Sequence, residues 1–168
     1  MLQTEPYVHV IALDFSKAFG TVKHPTLLTK FSDLPISDCT YNWLLEYFSK
    51  RRHCTRVMDI ISGFLVINAS IVQGSSIGPV SYVINASDLC TICLMNKLFK
   101  YADDTYLVVP ASKSDTIESE LQSIASWSES NNLTLNTKKS TEIVIYKPKS
   151  KNAHLPPPPV PGIQRVSQ

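Results

Sequence analysis

Three aspartates stand where carboxylates are costly. Asp14 closes the largely apolar run Tyr7–Asp14 (YVHVIALD), and Asp103 and Asp104 lie side by side between the runs 98–102 and 106–109. An acid set among buried apolar residues is destabilising unless something compensates it. Two carboxylates about 4 Å apart repel by roughly 4 kcal/mol at an effective dielectric of 20. A divalent cation turns that repulsion into attraction. Mg2+ takes oxygen ligands, is often held by one or two carboxylates, and draws its remaining ligands from water and substrate phosphate. Two such ions about 3.5–4 Å apart clamp the attacking and leaving oxygens of a phosphoryl transfer. Asp is also an ordinary turn residue, so a lone Asp-Asp pair has a simpler explanation. Spacing alone leaves both open.

The elements that must position these acids can be read from periodicity. Tyr7–Asp14 reads as a buried strand. Pro25 opens a short helix through Phe31, and a second helix runs from Asp38 to Lys50 with Trp43, Leu44, Tyr47 and Phe48 on its apolar face. Arg56–Ile61 and Phe64–Ile71 suggest two strands joined at Ser62-Gly63. Pro79 starts a helix expected to reach about Asn96. Leu98–Ala102 and Tyr106–Val109 form a second hairpin with Asp103 and Asp104 at its tip. Asp115 and Glu118 have capping-box spacing, with Ile117, Leu121, Ile124 and Trp127 on one helical face and Asn131-Asn132 as the stop. Thr141–Tyr146 is a last strand. This mixture implies an α+β fold, an antiparallel or mixed sheet backed by helices. Residues 1–147 make one domain. Residues 148–168, with Pro156–Pro159 and Pro161, read as a basic, proline-rich disordered tail.

Composition narrows the class. The chain has 168 residues, of which 43% are hydrophobic and 18% charged, which fits a globular protein. A chain of this size buries about 70% of its unfolded surface. The net charge of +2 is too small to argue for nucleic acid, but its distribution is uneven. Lys50, Arg51, Arg52, His53 and Arg56 form one basic cluster, and Lys138, Lys139, Lys147, Lys149 and Lys151 another. Such clusters are usually solvated surface, and they are also what phosphate contacts require. No signal peptide opens the chain, so Cys39, Cys54, Cys90 and Cys93 are not expected to form a disulfide framework. Cys90 and Cys93 lack a second ligand pair and read as core residues of a helix. The Asn-x-Ser/Thr triplets at Asn68, Asn85 and Asn132 carry no meaning without a secretory signal. There is no apolar run long enough for a membrane span.

Four segments in order carry a family resemblance. They are Leu13-Asp14-Phe15-Ser16-Lys17-Ala18-Phe19 with Val22, His24 and Leu27-Leu28; Gln73-Gly74-Ser75 with Gly78-Pro79 and Asp88-Leu89; Tyr101-Ala102-Asp103-Asp104; and Trp127 to Asn136 with Lys139 and the strand after it. Together the chain resembles the reverse transcriptases of non-LTR, LINE-like retrotransposons over about residues 7 to 147. The resemblance implies a right-hand polymerase palm on a ferredoxin-like antiparallel sheet backed by helices, with truncated fingers and no thumb. It implies RNA-directed DNA polymerase activity on an RNA template, a DNA primer and deoxynucleoside triphosphates. Asp14 and Asp103 would hold two Mg2+ ions, for which Mn2+ could substitute, with Asp104 and the Phe15 carbonyl assisting. Phe19 falls at the position of a steric gate against a 2′-hydroxyl. Gln73, Gly74 and Tyr101 would line the nucleotide pocket. Lys139 matches the position that protonates the leaving pyrophosphate. Lys50, Arg51, Arg52 and Arg56 would touch template phosphates. A nuclear location is implied by analogy, no membrane is, and the oligomeric state stays open.

The chain also departs from the pattern. Gly20 stands where the family usually has Asp, Ser70-Ile71-Val72 precede Gln73 where Gly-Val-Pro is usual, and Ser87 replaces a common Asn. None of these removes a metal ligand. With the short flanks they motivate an alternative from another class. This is a catalytically silent retroelement remnant that acts, if at all, as a nucleic-acid- or protein-binding module. A nucleotide cyclase palm would explain the paired acids but not Gln73-Gly74-Ser75 or the Trp127–Lys139 segment.

Overall fold

The computed structural model of the chain describes residues 1–148 and 156–167. The elements run β1 (Tyr7–Leu13), α1 (Ala18–Thr21), α2 (His24–Ser32), α3 (Asp38–Phe48), β2 (Arg52–His53), β3 (Arg56–Val57), β4 (Ile60–Ile61), β5 (Leu65–Val66) and α4 (Gly78–Asn85). Then follow β6 (Lys97–Tyr101), β7 (Asp104–Pro110), a 3-10 turn (Ala111–Thr116), α5 (Ile117–Ser130), β8 (Thr141–Tyr146) and β9 (Gln164–Arg165). They form two units, one of Met1–Ser16 with Asp88–Gln168 and one of Lys17–Ser87. No helix among the described residues is long and apolar enough to cross a membrane.

The first unit is built around β1. Its strand order is β6-β7-β1-β8-β9, so β1 is central and pairs antiparallel with both β7 and β8. Alternation puts His9, Ile11 and Leu13 on one face of the sheet with Leu107, Val109 and Val144, all buried. Helix α5 covers that face, and Trp127 meets Phe15 edge-on at 6.0 Å between ring centres. The apolar spacing of Ile117, Leu121 and Ile124 predicts this helix correctly. The capping box does not form: Thr116 holds the cap position without a side-chain bond, and Asp115 belongs to the 3-10 turn.

The sheet is mixed, because β9 joins β8 in parallel. The disordered tail expected over 148–168 is therefore corrected for residues 156–167. Residues 149–155, with Lys149 and Lys151, lie outside the described residues, as does Gln168. Val160 and Ile163 are buried, and Arg165 reaches Glu142 through Nε at 3.0 Å and Nη2 at 2.9 Å. Glu142 also accepts from the Val160 amide at 3.2 Å and pairs with His9 Nδ1 at 2.6 Å. Arg165 also donates to the carbonyls of Pro157 and Pro158. Prolines are already restricted when unfolded, so docking them loses little entropy. A cavity of about 500 Å³ lies between α5, the start of β1 and Pro157–Pro161.

The second unit packs α2 with α3 and α4. The α3 helix is capped by Ser37, which accepts from the Thr40 amide, and buries Leu44 and Phe48. His24 is held by its Nε2 bond to the Ser70 carbonyl at 2.8 Å and lies against Phe48. Two expectations fail here. The hairpin does not turn at Ser62-Gly63. It turns between β3 and β4 at Met58-Asp59, with Met58 left-handed at φ 52°, while β2 pairs with β5 outside it. Helix α4 ends at Asn85 rather than near Asn96, where Asn85, Ser87 and Asp88 are weak helix formers.

The first unit resumes after α4. There the fully buried Glu120 carboxylate collects the amides of Ile92 and Cys93, at 3.0 and 2.8 Å, and holds 88–96 out of helix. Cys90 is consequently exposed and Cys93 half-buried, in a loop and not in a helical core.

Candidate functional site

The three acids sit at one end of the first unit's sheet. The β1–β7 register ends at Leu13 opposite Thr105, so Asp14 follows on one strand end as Asp104 opens the next. Tyr101 pairs with Asp104, leaving Ala102 and Asp103 as a two-residue tip with Ala102 left-handed at φ 51°. The acids thus differ from the expected shared tip: Asp103 is in the turn and Asp104 in the strand. Both are exposed and Asp14 is half-buried. By alternation Asp14 and Asp104 fall on the face opposite His9 and Ile11, the face of Tyr106, Phe99 and Tyr101. Tyr101 is 82% exposed.

A second segment fixes the backbone at Asp14. Phe15 bridges Leu135, with Asn136 N–H donating to the Asp14 carbonyl at 2.8 Å and Ser16 N–H to Thr134 at 2.9 Å. In such a bridge the paired residue's own N–H and C=O point away from its partner. The Phe15 carbonyl is therefore turned away from Leu135, toward the edge where β7 lies. Lys139 is exposed in the same 134–140 segment, where its amide donates to the Asn136 carbonyl at 3.2 Å. Among the described residues no three of His, Cys, Asp and Glu come together as a metal-holding group. The acids are adjacent in register but do not form a three-carboxylate cage. The structure also joins two of the motif segments in a way the sequence does not signal, since Trp127 Nε1 donates to Asp88 at 2.9 Å.

The remaining candidates belong to the second unit. Phe19 is half-buried and stacks on Tyr82 at 4.7 Å, while its carbonyl accepts from the Ile71 amide. Gln73 and Gly74 are exposed, and Gly74 has φ 81°, which accounts for glycine there without a close neighbour. The glycine that packing requires is Gly78. A Cβ on it would meet the Val72 carbonyl at 2.9 Å and Ser75 Oγ at 3.2 Å. Gly78→Ala should therefore lower stability by about 1–3 kcal/mol in urea denaturation. Gly20 has no atom within 4 Å of an added Cβ, so the departure there leaves no packing defect. In the basic cluster Arg51 lies over the Tyr47 ring at 4.7 Å and Arg52 over Phe64 at 5.6 Å. Arg56 pairs with Asp59 at 3.8 Å on the surface, and Lys50 is exposed.

The sheet thus ends in neighbouring acids, and the motif segments follow one another in order along the chain. The profile of the reverse transcriptase (RNA-dependent DNA polymerase) family matches residues 1–155, and the chain belongs to that family. Its relatives place it with the non-LTR, LINE-like branch. It is 28% identical over 156 residues to the RNA-directed DNA polymerase from mobile element jockey of Drosophila melanogaster, covering 86% of this chain and 17% of the relative. It is 32% identical over 83 residues to a probable RNA-directed DNA polymerase from transposon BS of the same organism, covering 49% of this chain and 9% of the relative. The chain thus spans less than a fifth of the length of these relatives. In fold it resembles the telomerase of Candida tropicalis solved with a TWJ fragment of telomeric RNA, with a TM-score of 0.67 at 15% identity over 84% of this chain and 26% of that one. The apo form of that telomerase, truncated of its C-terminal domain, gives 0.65 at 16% identity over 88% and 32%.

Proposed function

We propose that the chain is the palm of an RNA-directed DNA polymerase and carries its nucleotidyl-transfer site. The observation that supports this most is the register of β6, β7 and β1, which sets Asp14 next to Asp104 with Asp103 at the adjoining tip. Asp14 and Asp103 would hold two Mg2+ ions, or Mn2+, with Asp104 and the Phe15 carbonyl assisting. The donors suit a hard cation: all are oxygen, and the exposed turn leaves room for water and phosphate. When bound, such ions activate the primer 3′-hydroxyl and neutralise charge developing on the triphosphate.

The chain's own side chains divide the remaining work. Lys139 gives a proton to the leaving pyrophosphate. Phe19, braced by Tyr82, crowds a 2′-hydroxyl and favours deoxynucleotides. Gln73, Gly74 and Tyr101 contact the incoming nucleotide. Lys50, Arg51, Arg52 and Arg56 bind template phosphates, a contact that orients nucleic acid without reading its sequence. The substrates on this reading are an RNA template, a DNA primer and deoxynucleoside triphosphates.

A silent remnant with a binding role is the second reading, favoured by the acids' lack of convergence into one cluster. Mn2+ titration of the chain with a deoxynucleoside triphosphate separates the two. Saturable binding abolished by Asp103→Asn is the expected result. Binding indifferent to Asp103 removes the polymerase site and leaves the remnant.

A further inference from the structure

The β1–β8 ladder stops at Ala12 opposite Thr141, two residues short of Asp14. Beyond it the two chains part, because 136–140 curls into a turn with the Ser140 amide donating to the Asn136 carbonyl at 3.0 Å. The amide of Asp14 is left without a strand carbonyl. Ser140 Oγ takes that place, accepting from Asp14 N–H at 3.1 Å. The same hydroxyl donates to the Asn136 carbonyl at 2.8 Å, and Asn136 N–H donates to the Asp14 carbonyl at 2.8 Å. The loop of bonds is closed: Asp14 to Ser140, Ser140 to Asn136, Asn136 back to Asp14. Only a group with one proton and free lone pairs can accept and donate in this way. Ser140 is 1% exposed, so water does not readily replace it.

We infer that Ser140 is a positioning residue for the cation site, setting the backbone angle from which the Asp14 carboxylate and the Phe15 carbonyl are presented. A carboxylate at a strand end has no ladder of its own to fix its direction, and groups that orient a ligand tune affinity without touching the metal. The serine clamp substitutes for the missing rungs on the β8 side, while the β7 side stays open for ligands. The inference rests on the reading of Asp14 and Asp103 as cation ligands.

The test uses the full chain, with Mn2+ alone as the probe, followed by electron paramagnetic resonance. Amide hydrogen exchange at Asp14 is measured in parallel. Ser140→Ala should weaken Mn2+ binding roughly three- to tenfold, the scale of one net hydrogen bond. It should also speed exchange at the Asp14 amide, and Ser140→Thr, which keeps the hydroxyl, should restore both. Unchanged affinity and unchanged exchange in Ser140→Ala overturn the inference. So does an unprotected Asp14 amide in the unsubstituted chain, a readout that stands even where the alanine variant fails to fold. Asp14→Asn separates this from the parent reading. If Asn at 14 binds Mn2+ as the native chain does, the cation site itself fails. If it abolishes binding while Ser140→Ala changes nothing, only the role of Ser140 fails.

Discussion

Arg165→Ala should cost the first unit about 3–5 kcal/mol, the usual penalty for stripping one partner from a buried ion pair. Glu142 is fully buried, and two of its bonds come from this one guanidinium. Without Arg165 the partners left to the carboxylate among the described residues are His9 and the Val160 amide. Urea denaturation should show the loss. Hydrogen exchange should speed up at Val160 and Val166, whose amides bond to Glu142. A change below about 0.5 kcal/mol, the scale of an exposed pair, would mean that residues 156–167 do not dock as described.

The same carboxylate makes the effect pH-dependent. Burial opposes ionisation of Glu142, but bonds from Arg165, His9 and Val160 outweigh it and hold the carboxyl below its ordinary value of 4.5. A group whose folded value is lowered contributes stability that is complete above the unfolded value and disappears as pH falls through the folded one. The native chain should therefore keep this contribution at neutral pH and lose it below about pH 4.5. In Arg165→Ala burial is no longer offset by the guanidinium and the folded value moves up, so less stability is lost on acidification and the gap between the two proteins should narrow as pH falls through about 4.5. A midpoint curve that is parallel in the two proteins would reject this assignment.

Glu120→Ala should be nearly as damaging. Its carboxylate is fully buried at the start of α5 and accepts from Ile92 N, Cys93 N and Asn96 Nδ2. Removing it takes the acceptor from the two amides and from one Asn96 Nδ2 proton, while the Nδ2 bond to Thr116 Oγ1 remains, and a donor left unpaired costs about 1–3 kcal/mol where water cannot reach. We expect a loss of about 3 kcal/mol or more by calorimetry or urea. Glu120→Gln should recover part of it, since its one carbonyl oxygen can serve some of the three donors. If Glu120→Ala melts with the native chain, the 88–96 loop does not depend on this anchor.

These two carboxylates mark where sequence reading succeeds and where it stops. Tyr7–Leu13, the α2 and α3 helices and Thr141–Tyr146 follow from apolar periodicity and a proline start, signals contained within each segment. Asp14, Asp103 and Asp104 stand out because acids beside apolar runs demand an explanation. The end of α4 does not show itself, because the group that claims the amides of Ile92 and Cys93 lies 28 and 27 positions away on another helix. The docking of 156–167 is hidden likewise: proline-rich composition reports an extended chain and says nothing of Glu142 waiting for Arg165. The Met58-Asp59 turn is missed because Ser62-Gly63 is the stronger local signal and Met rarely takes positive φ. Ser140 gives no signal at all, since one serine before a strand is ordinary and its role exists only beside Asp14.

The central position of β1 has a consequence for how this chain is made. The strand is synthesised well before its partners, since His9 meets Ser114 at a separation of 105 residues and Glu142 at 133. Contact order of this kind slows folding, because loop closure must precede any reward from pairing. On a ribosome, Val8-His9-Val10-Ile11 emerges with both edges open and stays so until the hairpin of β6 and β7, and then β8, leave the exit tunnel. During that interval β1 is a short apolar strand with unpaired amides on either side, the kind of segment that recruits other chains. Its protection is a matter of translation time as much as of the finished sheet.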